Sequence, residues 1–154
     1  MISDDAKKVL QKMEALCARK EYCSSDIYKK VLKVLDGDEE KASEVMAALV
    51  KEKYVDDLRY AGAFARDKSS LDGWGPVKIR YQLSAKGISG AVIAEALSGI
   101  DSQKADSRLR DLLAAKYRTI KGDGEERLKL LKFALSRGYE YDDADKAVKD
   151  LLSR

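Results

Sequence analysis

Histidine is absent from this chain of 154 residues. With it go the commonest general base, the commonest metal ligand and the side chain that titrates near neutral pH. Proline occurs once, at Pro76, so almost every residue keeps its backbone donor and helices are free to fill most of the length. The two cysteines, Cys17 and Cys23, have a spacing that suits neither a CxxC pair nor a disulfide framework, and both read as buried or idle thiols. Aromatics make up only 7% of the sequence, which puts the core on aliphatic stripes. No run of about 18 apolar residues is present, and Met1-Ile2-Ser3-Asp4-Asp5 lacks the basic-then-apolar layout of a secretory signal. A cytoplasmic protein with no membrane partner is expected.

Charge, by contrast, is plentiful. Thirty basic and 27 acidic residues leave a net charge of only +3, but the signs are unevenly spread. Residues 1–65 carry 12 basic and 13 acidic groups, residues 66–137 carry 15 and 9, and residues 138–154 carry 3 and 5. The basic middle suits an acidic or polyanionic partner. A solvated helix surface accounts for the same charge equally well.

The hydrophobic pattern is helical throughout. A first helix over 6–19 places Val9, Leu10, Met13, Leu16 and Cys17 on one stripe. A second starts at Ser24 or Ser25 as its cap, buries Ile27, Val31, Leu32 and Leu35, and ends at Asp36-Gly37. Asp38 caps a third, with Ala42, Val45, Met46, Leu49 and Val50 inward. Asp56 caps a fourth, and Asp57 in its first turn is favoured by the helix dipole; Ala61, Phe64 and Ala65 face in. Trp74-Gly75-Pro76 marks a sharp entry to a fifth helix, with Pro76 at its first position and Trp74 stapled to Ile79. Gly87 closes that helix in the left-handed region, and Ser89 caps a sixth bearing Val92, Ile93, Ala96 and Leu97. Asp101 or Ser102 opens a seventh with Leu109, Leu112, Leu113, Tyr117 and Ile120. Asp123 and Glu126 have capping-box spacing for an eighth carrying Leu128, Leu131, Ala134 and Leu135. Asp142 begins a ninth with Ala144, Ala147, Val148, Leu151 and Leu152.

Nine helices sort into three trios, over 1–53, 54–98 and 99–154. The junctions Lys53-Tyr54-Val55, Lys86-Gly87-Ile88 and Arg137-Gly138-Tyr139 look alike, although their spacings of 34 and 51 residues differ. Tandem units of this kind stack on their neighbours. The fold class is therefore all-α: three tandem three-helix repeats in an elongated, curved array, right- or left-handed.

Little here suggests catalysis. Asp56 with Asp57, and Asp142 with Asp143, sit at helix starts, where carboxylates satisfy orphan N–H groups without any chemistry. Gly73, Gly75, Gly87 and Gly90 follow no strand and no GK[ST] sequence, so no phosphate-cradling loop is present. No cofactor or metal is expected, and no enzyme. The candidate binding residues are Arg66, Lys78, Arg80 and Lys86 in the second trio, and Arg118, Lys121, Arg127, Lys129, Lys132 and Arg137 in the third. Tyr22, Tyr54, Tyr60, Tyr81, Tyr117 and Tyr139 fit core edges with wet hydroxyls better than a base-stacking platform.

Tyr54-Val55-Asp56-Asp57, then Tyr60-Ala61, Arg66, Gly75-Pro76-Val77-Lys78-Ile79, Leu83 and Lys86-Gly87-Ile88, resemble in order and spacing the central signature of RecX regulatory proteins. Weaker echoes flank it: Arg19, Tyr22, Ser24 and Leu32 look like that family's N-terminal module, and Leu131, Leu135 and Arg137-Gly138-Tyr139 like its C-terminal one. Tyr60 departs from the family's usual Phe. The resemblance implies three tandem three-helix modules and a monomer that binds the RecA recombinase filament in its helical groove. It further implies modulation, most often inhibition, of RecA in homologous recombination, DNA repair and the SOS response, with single- or double-stranded DNA as a second partner of the basic face. A helical DNA-binding regulator acting without RecA is the alternative.

Overall fold

The computed structural model describes residues 2–154, and among them the chain forms nine α-helices and no strand. They are α1 (Asp4–Arg19), α2 (Ser24–Val34), α3 (Glu39–Lys51), α4 (Asp57–Ser70), α5 (Pro76–Ala85), α6 (Gly90–Ser98), α7 (Ser102–Ile120), α8 (Glu126–Ser136) and α9 (Tyr141–Leu152). None is long and apolar enough to cross a membrane.

Local chemistry accounts for most of the helix starts. Asp38, Asp56, Ser89 and Asp101 each sit in extended backbone and accept a hydrogen bond from an N–H two or three residues on. Ser3 does the same for Ala6, so α1 opens two residues earlier than its apolar stripe suggests. At α8 the expected capping box is displaced by one residue. Asp123 accepts from the Glu125 N–H and Glu126 from the Gly124 N–H, and Glu125 at the cap makes no side-chain hydrogen bond. α9 likewise starts at Tyr141, one residue before Asp142.

The core is divided into three. Val9, Met13, Ile27, Val31, Val45 and Leu49 from α1–α3 form one buried cluster, which Val55 joins. Ala61, Ala65, Ile79, Leu83, Ile93 and Ala96 from α4–α6 form a second, with Trp74 edge-on to Phe64 at 6.1 Å. Leu109, Leu113, Leu130, Ala134, Ala144 and Val148 from α7–α9 form a third. The accessible surface of 9595 Å² exceeds by roughly a quarter that of a compact monomer of this mass, ~7,800 Å², as expected for small cores in series.

Three apolar stripes differ from the sequence-based expectation, that of α9 among them, where Leu152 is exposed. On α8, Leu128 and Leu135 are exposed, and Leu130 takes the fully buried place. On α3, Val50 faces solvent. α8 carries six apolar side chains between Leu128 and Leu135, so several faces satisfy helical spacing, and docking rather than pattern selects one.

The repeat is more regular than the sequence junctions suggest. Asp36, Gly87 and Gly138 all have left-handed backbone, φ 53°, 77° and 93°, and follow one another at intervals of 51 residues. Each ends the second helix of its trio with the same pair of backbone bonds: the next residue's N–H donates to the carbonyl five positions back, Gly37 to Leu32, Ile88 to Leu83 and Tyr139 to Ala134. The caps Asp38, Ser89 and Glu140 keep the same interval. Lys53-Tyr54-Val55 makes a similar turn, φ 61° at Lys53, but at the end of α3 between trios. Its likeness to the other two junctions is therefore one of sequence and not of place, and Asp36 stands where the other two trios have glycine.

Candidate functional site

Polar chemistry concentrates where one trio meets the next. At the first junction α2 has no side-chain cap of its own, because Cys23 occupies the cap position. Asp57 supplies it from α4: its carboxylate accepts the Ser24 N–H at 2.8 Å and the Ser24 hydroxyl at 2.6 Å. The Ser25 hydroxyl turns outward to the Lys86 carbonyl, 2.6 Å. Neither serine caps α2 as expected; both tie it to the next trio. Cys23 is fully buried within the second cluster. The Lys86 ammonium meets Asp26 at 2.8 Å, holding that carboxyl below its usual range, while Asp26 raises Lys86. Arg59 completes the seam with Glu21 at 2.7 Å and the Lys53 carbonyl at 3.0 Å.

The second junction repeats the geometry with backbone in place of side chains. Gly75, the cap residue of α5, has no side chain to offer. The C-terminal turn of α8 serves instead: Gly75 N–H donates to the Arg137 carbonyl and Val77 N–H to the Gly138 carbonyl, both at 2.8 Å. Space is tight enough that any Cβ on Gly138 would collide with Lys78. Tyr139 is buried, and its hydroxyl donates to the Gly73 carbonyl at 3.1 Å, not to water. Tyr81, by contrast, is 71% exposed; neither tyrosine is a core-edge residue.

The ten basic residues divide by role. Lys78 lies over the Trp74 ring at 4.5 Å. Arg80 faces Glu140 at 3.8 Å, Lys86 holds Asp26, and Arg137 lies over Phe133 and reaches the Asp72 carbonyl. Arg127 pairs with Asp145 at 3.3 Å and Lys129 with Asp123, both inside the third trio. Arg66, Arg118, Lys121 and Lys132 are exposed and in no ion pair among the described residues. Charge distribution along the sequence did not single out Arg59, Lys104 and Arg108; the last two are four apart on α7, a spacing that puts them on one side of a helix.

Residues 56–97, from the cap of α4 to the penultimate residue of α6, match the family model "RecX, second three-helix domain". "Regulatory protein RecX" of Clostridium botulinum (strain Alaska E43 / Type E3) is 34% identical over 120 residues, 75% of this chain and 56% of that protein. The chain carries a RecX-family domain. A solved structure, "Crystal structure of regulatory protein RecX", covers 96% of this chain and 72% of its own at 25% identity and a TM-score of 0.83. RecX from Lactobacillus salivarius shares the fold at a TM-score of 0.86, covering 98% of this chain and 99% of its own at 22% identity. The chain spans about half the length of the curated relatives it matches, 56% of the Clostridium botulinum protein. The RecX signature residues prove to be mostly joints: Asp57 caps α2 across the first junction, and Gly75 takes the carbonyls of α8 across the second.

Proposed function

We propose that this chain binds the RecA recombinase filament along its helical groove and lowers RecA ATPase and recombinase activity. The RecX-family domain and the regularity of the array support this reading together. Three trios that each carry an equivalent turn, at intervals of 51 residues, repeat at a regular step, which suits a partner built of repeating subunits. Many modest contacts then add to a large avidity. In this reading the trios over 1–53, 54–98 and 99–154 are the repeating units, the chain acts as a cytoplasmic monomer, and it has no catalytic role. Arg118, Lys121 and Lys132, exposed and in no ion pair among the described residues, are the third trio's candidate cations that meet an acidic groove. DNA-stimulated ATP hydrolysis and strand exchange by RecA, measured with increasing amounts of the chain, test it. Inhibition at or below stoichiometric protein is expected, and unchanged rates would sink the proposal.

A helix-turn-helix regulator that reads DNA without RecA finds less support. Base reading needs Arg, Asn or Gln at the start of the third helix of a trio. α3 opens with Glu39 and Glu40, and the first turn of α9 carries Asp142 and Asp143, which repel phosphate, while α6 opens with Gly90 and Ala91.

A further inference from the structure

Beside the second junction lies a cavity of about 190 Å³, between the end of α4 and the starts of α5, α7 and α9. Trp74, Leu97, Ile100 and Tyr139 give it largely apolar walls. Asp106 of α7 and Asp143 of α9 line it as well, and neither is in an ion pair among the described residues. No lysine or arginine lines it; Lys68 and Lys78 lie over the Trp74 ring without reaching the cavity wall. The cavity is therefore apolar in its walls and negative in its charge.

Ser69 carries the second observation. It is 7% exposed, the one buried polar residue among those described. The neighbouring Ser70 hydroxyl donates to the Arg66 carbonyl at 2.9 Å, but the Ser69 hydroxyl has no partner among the described residues. It is not sealed in the core, since Ser69 lines the cavity. A buried hydroxyl without a partner favours a guest that brings one. Ser69 and Ile100 also divide the cavity from a recess lined by Arg66, Lys104 and Arg108, so a cationic guest is favoured on one side of that wall alone.

Size decides what kind of guest fits. Sites for whole small molecules usually hold roughly 300–1,000 Å³, and this cavity is smaller. It matches a single side chain: a cavity of about 150 Å³ takes benzene, and an arginine side chain has only one more non-hydrogen atom. Apolar walls suit its methylene stem, and the carboxylates and hydroxyl suit its fork of N–H donors. Lysine brings the same charge, but its ammonium is more strongly hydrated and costs more to draw in.

We propose that this cavity receives an arginine side chain presented by a partner protein. The stem packs against Leu97, Ile100 and Tyr139, and the guanidinium donates to Asp106, Asp143 and the Ser69 hydroxyl. The proposal concerns the arginine whatever protein presents it, so it stands or falls separately from the RecA reading.

The test uses the full chain and two tripeptides, acetyl-Gly-Arg-Gly-amide and its citrulline counterpart, in which a neutral urea replaces the guanidinium. Trp74 is the chain's one tryptophan and lines the cavity, so its fluorescence reports a guest there directly. The arginine peptide should change that fluorescence saturably at about millimolar concentration, and the citrulline peptide should bind about tenfold more weakly. Asp106→Asn/Asp143→Asn should weaken the arginine peptide about tenfold or more, and Ser69→Ala about threefold. Glu39→Gln/Glu40→Gln removes two exposed and unpaired carboxylates from the start of α3, matches the change in net charge, and should leave binding as in the parent. If the double change at the cavity unfolds the chain, Asp106→Asn alone replaces it. The proposal is overturned by no saturable response in the parent, by equal affinity for the citrulline peptide, by undiminished affinity in the cavity variant, or by an equal loss in the α3 variant.

Discussion

Gly75 and Gly138 pack backbone against backbone: a Cβ built on Gly75 would lie 2.5 Å from the Tyr139 nitrogen, and one built on Gly138 would strike the backbone and Cβ of Lys78. This close approach lets the carbonyls of α8 take the place of a side-chain cap on α5. Gly75→Ala is expected to destabilise the chain by about 1–3 kcal/mol through overpacking. Gly138→Ala, in left-handed backbone at φ 93°, should cost about 1–2 kcal/mol more. Gly122→Ala supplies the comparison, since Gly122 has φ 91° but open space around it and should show the backbone cost alone. Urea unfolding of the three variants measures the difference. Equal losses at Gly122 and Gly138 would remove the packing argument.

Asp57 caps a helix that is not its own. Asp57→Ala should lose about 1–2 kcal/mol, as for a cap, even though Asp56 keeps its own bond to the Arg59 N–H. A double-mutant cycle with Ser24→Ala isolates the contact. Coupling of roughly 0.5 kcal/mol or more is expected for residues that share a hydrogen bond, and additive losses would show that Ser24 and Asp57 stabilise their helices separately.

The Asp26–Lys86 pair makes the first junction sensitive to pH at both ends. Lys86 lowers the pKa of Asp26, so this contribution is fully present above the ordinary carboxylate value of 3.8 and is lost as pH falls through the lowered one. Asp26 raises Lys86, so that part is fully present below 10.5 and is lost as pH rises through the raised value. Both side chains are partly exposed, which holds the pair to about 1 kcal/mol or less. Asp26→Asn should therefore have a lower urea midpoint than the parent near neutrality and converge with it in strong acid. A gap that persists in acid would assign the effect to packing instead.

Arg118→Glu, Lys121→Glu and Lys132→Glu together should weaken binding to RecA filaments about tenfold or more, near 1.4 kcal/mol, without lowering the melting temperature. All three side chains are exposed and unpaired in the described structure. Lys86→Glu should behave in the opposite manner, lowering stability because it sets a second carboxylate beside Asp26. Sedimentation with filaments, alongside thermal melting, reads both quantities. Unchanged filament binding in the triple variant would remove those cations from the interface.

Much of the fold was legible from local chemistry. Asp38, Asp56, Ser89 and Asp101 cap the helices they precede, Pro76 opens α5, and Gly87 closes it. Such bonds span only two or three residues, so sequence order alone places them. The stripes Val9–Met13, Ile27–Val31 and Ala144–Val148 were legible for the same reason, because polar residues flank them clearly. The candidate site was far less legible. Lys86, Arg80 and Arg137 are basic residues at suitable positions, yet Asp26, Glu140 and the Asp72 carbonyl claim them from 60, 60 and 65 residues away.

The sequence by itself determined that this chain is helical, that it divides into trios, and where most helices start and stop, because those outcomes depend on propensity, caps and spacing within a few residues. Only the tertiary structure decided which charges remain free, which face of α8 is buried, and what completes the uncapped starts of α2 and α5. Those answers depend on groups brought together across the chain: Asp57 for Ser24, the α8 carbonyls for Gly75 and Val77, and α4 beside Arg108. A glycine reads in sequence as freedom to turn. At Gly75 and Gly138 it proves to be room for a neighbouring backbone.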